Sequence, residues 1–333
     1  MIDMIIMLLC VTVVSVYTFG IRVIWSVLLS IITAIFVEII SYLIFMNKNP
    51  TKLADLSTIA TGMLVALALP STAPLWLAPL GSAVAIAVAK VPFGHAGTTP
   101  FVPAAVGIGF ITLSYDSVFT YPDIALKLST GGVSVAQMLV QGKSIGTNVL
   151  QVLDLFVGRV PGPMGATCLL VLIGCLLFLT IRKYDGAISS FSFVLTCVIF
   201  ALLFPRVMTG RNYSILMELS AGLLLYSAVF FVSDPVTSPT TKRGKILYGI
   251  FGGLLTMILR RVGSYEEPVI FAVLIMNAMS GAFDSLGEQL GLLFKSKKNK
   301  PKKAKVKKTE ELPQEETKAE PEAPLTEGGV ANA

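Results

Sequence analysis

Charge is scarce in this chain: 14% of its 333 residues are Asp, Glu, Lys or Arg, and there is a single histidine, His95. One histidine cannot build a histidine-based metal centre. The four cysteines, Cys10, Cys168, Cys175 and Cys197, all fall inside apolar runs and none forms a CxxC pair. That spacing suits buried small side chains rather than metal ligands or disulfides. No phosphate-binding glycine loop, no GxGxxG after a strand, no nucleophile beside a base and no pair of catalytic carboxylates can be found. The amino acids therefore perform no redox or hydrolytic chemistry by themselves. Electrons that pass through this chain must be carried by a bound cofactor or a neighbouring subunit. The opening MIDMIIMLLC also lacks the basic stretch of a cleaved signal and is read as a retained first helix.

What is abundant is apolar surface. The chain is 54% hydrophobic with a mean hydropathy of +0.78, outside the range of soluble domains. A bilayer core about 30 Å thick takes roughly 20 apolar residues per helix, fewer where a helix is broken and shielded by protein. On that basis apolar segments are expected near 4–20, 22–46, 55–70, 75–90, 101–114, 164–181, 187–204, 214–232, 246–259 and 268–285. The predicted fold is all-α, a polytopic membrane protein of about ten transmembrane helices. Several are short and interrupted by Gly or Pro, and the count accommodates an inverted repeat of two five-helix halves. Residues 1–293 form the expected transmembrane domain, with an external loop at about 115–163. Residues 294–333 form a Lys-, Glu- and Pro-rich tail that can bury almost nothing, so disorder is expected there.

Ten crossings place both termini on one side. Lys and Arg between the segments divide evenly, with Lys90 and Lys245 counted on one face and Arg206 and Arg260 on the other. The lysines from Lys295 to Lys308 crowd against the last segment and decide the orientation, with both termini cytoplasmic.

Two polar joins interrupt the apolar pattern on that cytoplasmic side. The first, Val232 to Gly244, holds Asp234, Thr237, Ser238, Thr240 and Thr241 around two prolines that oppose continuous helix. Its hydroxyls and acid are suited to lining a ligand, and equally to capping the next helix. The second, Lys90 to Pro103, contains Gly94 and Gly97, which permit a tight turn or a close approach of backbone to ligand. Glu38 lies inside the second apolar segment. An ionisable group there is an ion-path candidate by default, with a hydrogen bond to a neighbouring helix as the structural alternative. Asp55 and Asp284, at segment ends, are weaker ion-path candidates.

In order along the chain, Asp55-Leu56-Ser57, Thr61-Gly62, LVALALP ending at Pro70, Trp76, Gly81, Ala89-Lys90, Pro100-Phe101, Pro103-Ala104, DPVTSPTTKRG from Asp234 to Gly244, Tyr248-Gly249, Asn277 and Asp284 form a recognisable series. They resemble the D subunits of Rnf-type ion-translocating electron transport complexes, relatives of the B subunit of the sodium-pumping NADH:quinone oxidoreductase. The resemblance implies an enzyme subunit that is inactive alone. It implies a role in coupling electron transfer between ferredoxin and NAD to Na⁺ or H⁺ movement, with other membrane, flavoprotein and iron-sulfur subunits as partners, in the cytoplasmic membrane. It also implies flavin. Noncovalent riboflavin or FMN is expected near Asp234, Thr237, Ser238, Thr240, Gly94 and Gly97, as the related B subunit holds riboflavin in its membrane core.

One departure stands out. Such proteins usually carry FMN on a threonine in an external motif Dxx[S/T]xAT. Here the matching stretch is Gly131-Gly132-Val133-Ser134-Val135-Ala136-Gln137. A carboxamide offers no acceptor hydroxyl, so covalent FMN is not expected at Gln137, and Ser134 or Thr130 would be the substitute acceptor. The loss leaves a second reading open, that of a divergent non-redox scaffold or small-molecule carrier of the same fold.

Overall fold

The computed structural model describes residues 1–45, 56–93, 98–123, 128–141, 149–182, 184–207, 211–263 and 267–298. Asp55, Gly94, Gly97 and His95 lie outside the described residues, as does the tail beyond residue 298. The chain divides into two units, Met1–Leu293 and Phe294–Ala333.

Every expected apolar segment contains helix. The first half comprises α1 (Ile2–Phe19), α2 (Arg22–Phe45), α3 (Leu56–Leu67), α4 (Leu77–Val84) and α5 (Pro103–Ser114). Helix α4 runs on through a π-helical turn, Ala85–Lys90, and a 3-10 turn, Val91–Phe93. Pro103 opens α5 at the helix position where a missing N–H costs nothing. The segment expected as an external loop carries structure of its own: β1 (Tyr121–Asp123) pairs antiparallel with β2 (Leu128–Gly132), followed by α6 (Val135–Val140) and α7 (Val149–Val157). This hairpin is the only sheet among the described residues, in a fold otherwise built of helices. The second half comprises α8 (Leu169–Ile181), α9 (Ala187–Leu203), α10 (Arg211–Ser220), α11 (Leu224–Phe230), α12 (Lys242–Val262), α13 (Val269–Ala278) and α14 (Ser280–Lys298).

Two helices, α1 and α2, are by themselves long and apolar enough to cross a membrane; counting each bent pair as one span raises this to four. The expected segments at 214–232 and 268–285 are not single helices. The first bends by 63° between Ser220 and Leu224, and the second by 62° around Met279. Leu9, Val13, Tyr17, Ile32 and Phe36 stand exposed on α1 and α2. Helices so apolar on their outward faces need hydrocarbon around them.

Helix α2 lies against α3 and α4, α9 lies against α10 and α12, and α5 meets α13. A Cβ at Gly249 of α12 would come within 1.8 Å of Ser192 Oγ and 2.5 Å of Ser189 O on α9. Small residues at such crossings let backbones close up where no hydrophobic effect drives association.

The α10–α11 break exposes backbone groups that hydrocarbon would leave unpaired. Gly222 takes φ +53 there. The Leu223 N–H donates to Glu267 Oε2 at 2.7 Å. Arg260, from α12, donates to the Ala221 carbonyl, to the Glu218 carbonyl at 3.0 Å and to Glu218 Oε2 at 3.3 Å. Arg206 Nε completes the cluster 3.2 Å from Glu218 Oε1. The Arg260 side chain is therefore a buried clamp, not the loop charge its place at a segment end suggests. Lys90 and Lys245 are buried too. Removing these four from the orientation count lowers both sides equally, and the even balance persists.

Candidate functional site

The two polar joins meet. A cleft with roughly 500 Å³ of empty space, its open mouth included, is lined by Ser57, Ala60, Thr61 and Leu64 of α3, by Thr99, Val102, Pro103 and Ala104 at the start of α5, and by Phe230, Asp234 and Val236; Met1 and Met4 also contribute. Residues far apart in sequence thus form one wall each. Pro103 places the N-terminal turn of α5 against the cleft, with Val102 in extended conformation leading into it.

Asp234 sits in the irregular stretch after α11. Its Oδ1 accepts from the Val236 N–H at 3.4 Å and its Oδ2 from the Thr237 hydroxyl at 3.1 Å, while the Ser238 N–H returns to the Asp234 carbonyl at 3.1 Å. This is an Asx-type turn in which the acid organises its own neighbours. Burial pushes the Asp234 carboxyl above the usual carboxylate range, and the hydrogen bonds from Val236 and Thr237 act against that rise. Ser238 is buried and its hydroxyl has no hydrogen-bond partner among the described residues.

Thr240 and Thr241 face a different task. The Thr240 N–H and hydroxyl donate to Asp284 Oδ2 at 3.0 and 3.1 Å, and those of Thr241 donate to Asp284 Oδ1, both at 2.9 Å. The Thr241 hydroxyl in turn accepts from the Gly244 N–H at 3.1 Å, which makes Thr241 the N-cap of α12. The signature therefore splits: its Asp234 end lines the cleft, and its Thr240–Thr241 end is a helix start clasped to α14 through Asp284.

Glu38 is paired. Its Oε1 lies 2.6 Å from Lys90 Nζ, with both side chains 1% exposed. Thr58 closes the triad, donating its hydroxyl to Glu38 Oε2 and accepting from Lys90 Nζ. The apolar cluster Ala34, Ile86 and Val91, with Val37 against it, is built from the same two helical segments as the pair. Lys90 is the last residue of the π-helical turn, an element that recurs at functional positions in helices.

In the region expected to be an external loop, Ser134 is the N-cap of α6. Its Oγ accepts from the Gln137 N–H at 3.1 Å, and Gln137 Oε1 accepts from the Ser134 N–H at 3.4 Å. The pair is a capping box, readable in the sequence as Ser-x-x-Gln. Ser134 is 2% exposed.

Of the sequence-predicted residues, Asp234 lines the cleft, Thr237 buttresses it and Thr240 does not reach it. The cleft hydroxyls of Ser57, Thr61 and Thr99 escape a reading of the sequence for sites, although Ser57 and Thr61 belong to the family-like stretch. Lys90 is readable there only as a charge at the end of a segment.

Residues 1–290 match the NQR2, RnfD, RnfE family. The D subunit of the Na(+)-translocating ferredoxin:NAD(+) oxidoreductase complex of Acetobacterium woodii is 34% identical over 282 residues, covering 83% of this chain and 84% of the relative. The D subunit of the ion-translocating oxidoreductase complex of Salmonella arizonae is 28% identical over 294 residues, covering 78% and 84%. The chain is a helical membrane protein that belongs to the NQR2, RnfD, RnfE family.

Proposed function

We propose that this chain is the D subunit of an ion-translocating electron transport complex, coupling electron transfer between ferredoxin and NAD to movement of Na⁺ or H⁺ and acting with the other subunits of that complex. The name and 34% identity of the Acetobacterium relative support the general role. In this reading the chain crosses the cytoplasmic membrane ten times, each bent pair serving as one crossing shortened by its break. Both termini are cytoplasmic, and the two five-helix halves are an inverted repeat. The similar packing of α2 with α3 and α4 and of α9 with α10 and α12 supports that arrangement.

The observation that carries the proposal is the meeting of Asp234 with Thr99 and Pro103 in one cleft. The residues fit a noncovalent flavin in kind. Ser57, Thr61 and Thr99 offer hydroxyls, Asp234 offers a carboxyl group, and Leu64, Val102 and Phe230 offer apolar walls. When bound, a flavin would supply the electron transfer that the side chains cannot. The chain's own part is to hold it. The Asx turn fixes the Asp234 carboxyl at the cleft wall, Thr237 keeps that turn in place, and the Thr240–Asp284 clasp anchors the start of α12 behind it.

In the assembled complex, Asp234→Ala is expected to lower electron transfer by about tenfold or more with parallel loss of bound flavin, and Thr237→Ala by less, since it only loosens the turn. Unchanged activity in both variants would count against the cleft and favour the non-redox scaffold, which the glutamine at position 137 also suits.

A further inference from the structure

We infer that Lys90 is a tethered stand-in for the translocated cation: its ammonium neutralises Glu38 until a monovalent cation takes its place. The inference rests on the ion-coupling role proposed above and assigns that role a site.

Desolvation sets the terms. Glu38 and Lys90 are each 1% exposed, and neither charge can be tolerated there without the other. A cation that comes to Glu38 must therefore be compensated at once. Among the described residues, the ionisable groups around the pair leave one way to do so. Over its described length α3 contributes Thr58 and no charge, α5 carries no ionisable side chain, Tyr115 lying just beyond its end, and α2 adds Tyr42 one turn beyond Glu38. The compensating group is Lys90 itself. An ammonium can surrender a proton where a guanidinium does not. The exchange balances in charge and atoms: the Glu38 carboxylate exchanges its contact with the Lys90 ammonium for one with a bare monovalent cation, an N–H bond of that ammonium breaks to leave a neutral amine, and one proton passes to water. Before and after, the pocket holds no net charge.

The oxygen ligands are already in place. Glu38 Oε1 and the Thr58 hydroxyl meet at the ammonium, and Glu38 Oε2 accepts from that hydroxyl, so the oxygens beside the lysine are of the hard kind that a sodium ion accepts. The π-helical turn that ends at Lys90 is a backbone element often found at functional sites in helices.

The test uses the complete complex in sealed vesicles. Electron transfer, ²²Na⁺ uptake, proton movement and bound flavin are followed for the wild type, Lys90→Arg and the double variant Glu38→Gln/Lys90→Met. Lys90→Arg keeps the charge but removes the labile proton. The double variant is neutral and of similar volume, so it avoids an unpaired buried charge. Both are expected to assemble, to keep flavin and to transfer electrons, while cations moved per electron fall by about tenfold or more. A cation-per-electron ratio within about twofold of wild type in either variant would make the pair a structural staple and overturn the inference. Failure of both variants to assemble would overturn it in the same way. A wild-type complex that moves no cation would instead overturn the coupling role, and flavin content reports on the cleft independently of either.

Discussion

Among the described residues the protein buries two ion clusters, and they are built from different cations. Glu38 is held by a lysine and a threonine hydroxyl, and the three groups satisfy one another without touching any backbone break. Glu218 is held by two arginines, and one of them, Arg260, also donates to the carbonyls of Glu218 and Ala221 at the α10–α11 break. A guanidinium offers five fixed donors and keeps its charge; an ammonium is compact and can lose its proton. The arginine cluster thus serves as a clamp that makes a broken helix tolerable in hydrocarbon. The lysine cluster has no backbone break to hold, as the proposed exchange requires.

The largest expected effect breaks the comparison at the clamp. Arg260→Met removes one of the two arginines from Glu218 and leaves the Ala221 carbonyl without its donor, and should cost about 3–5 kcal/mol, read as loss of assembly or a large drop in thermal midpoint in detergent. Adding Glu218→Gln should restore only part of this, because the break remains unsatisfied. Lys90→Met should cost nearly as much alone, about 3 kcal/mol, but Glu38→Gln in the same chain should bring stability back to within about 1 kcal/mol of wild type. Full rescue at the lysine pair with partial rescue at the arginine cluster, in one double-variant series, is the signature of the difference. Equal rescue would erase it.

Smaller effects separate capping from ligand binding within the 232–244 signature. Asp284→Ala removes the acceptor for four donors of Thr240 and Thr241 and should cost about 1–2 kcal/mol of thermal stability, with flavin content kept, whereas Asp234→Ala should show the reverse ranking. The smallest effect is expected at the start of α6. Gln137→Ala opens one side of the capping box and should cost about 0.5–1 kcal/mol, visible as faster amide exchange over residues 134–140.

Much of the fold can be read from hydropathy alone, because each apolar segment must satisfy its backbone internally and so becomes helix. The irregular backbone at Asp234 is equally legible, since Pro235 and Pro239 oppose a continuous helix. The bend at Gly222 is not, because Ser-Ala-Gly inside an apolar run carries no breaker strong enough to be read without its partners. Those partners are Arg260, 39 positions from Ala221, and Glu267, 44 from Leu223. Lys90 is misplaced for the same reason: a lysine at the end of an apolar run looks like an interfacial charge until its partner, on another helix, is known. Local chemistry reads from sequence, and long-range charge pairing does not. The cleft lies between these cases. Two of its walls are visible as polar joins, the α3 wall is not, and only packing brings Asp234 to Thr99 and Pro103.

The most direct measurement is the flavin content and intact mass of the purified chain, made together with the flavin transferase. The prediction is riboflavin or FMN released on denaturation, with a chain mass equal to that of the polypeptide. A chain that releases no flavin, or one heavier by a covalently attached FMN, would contradict it.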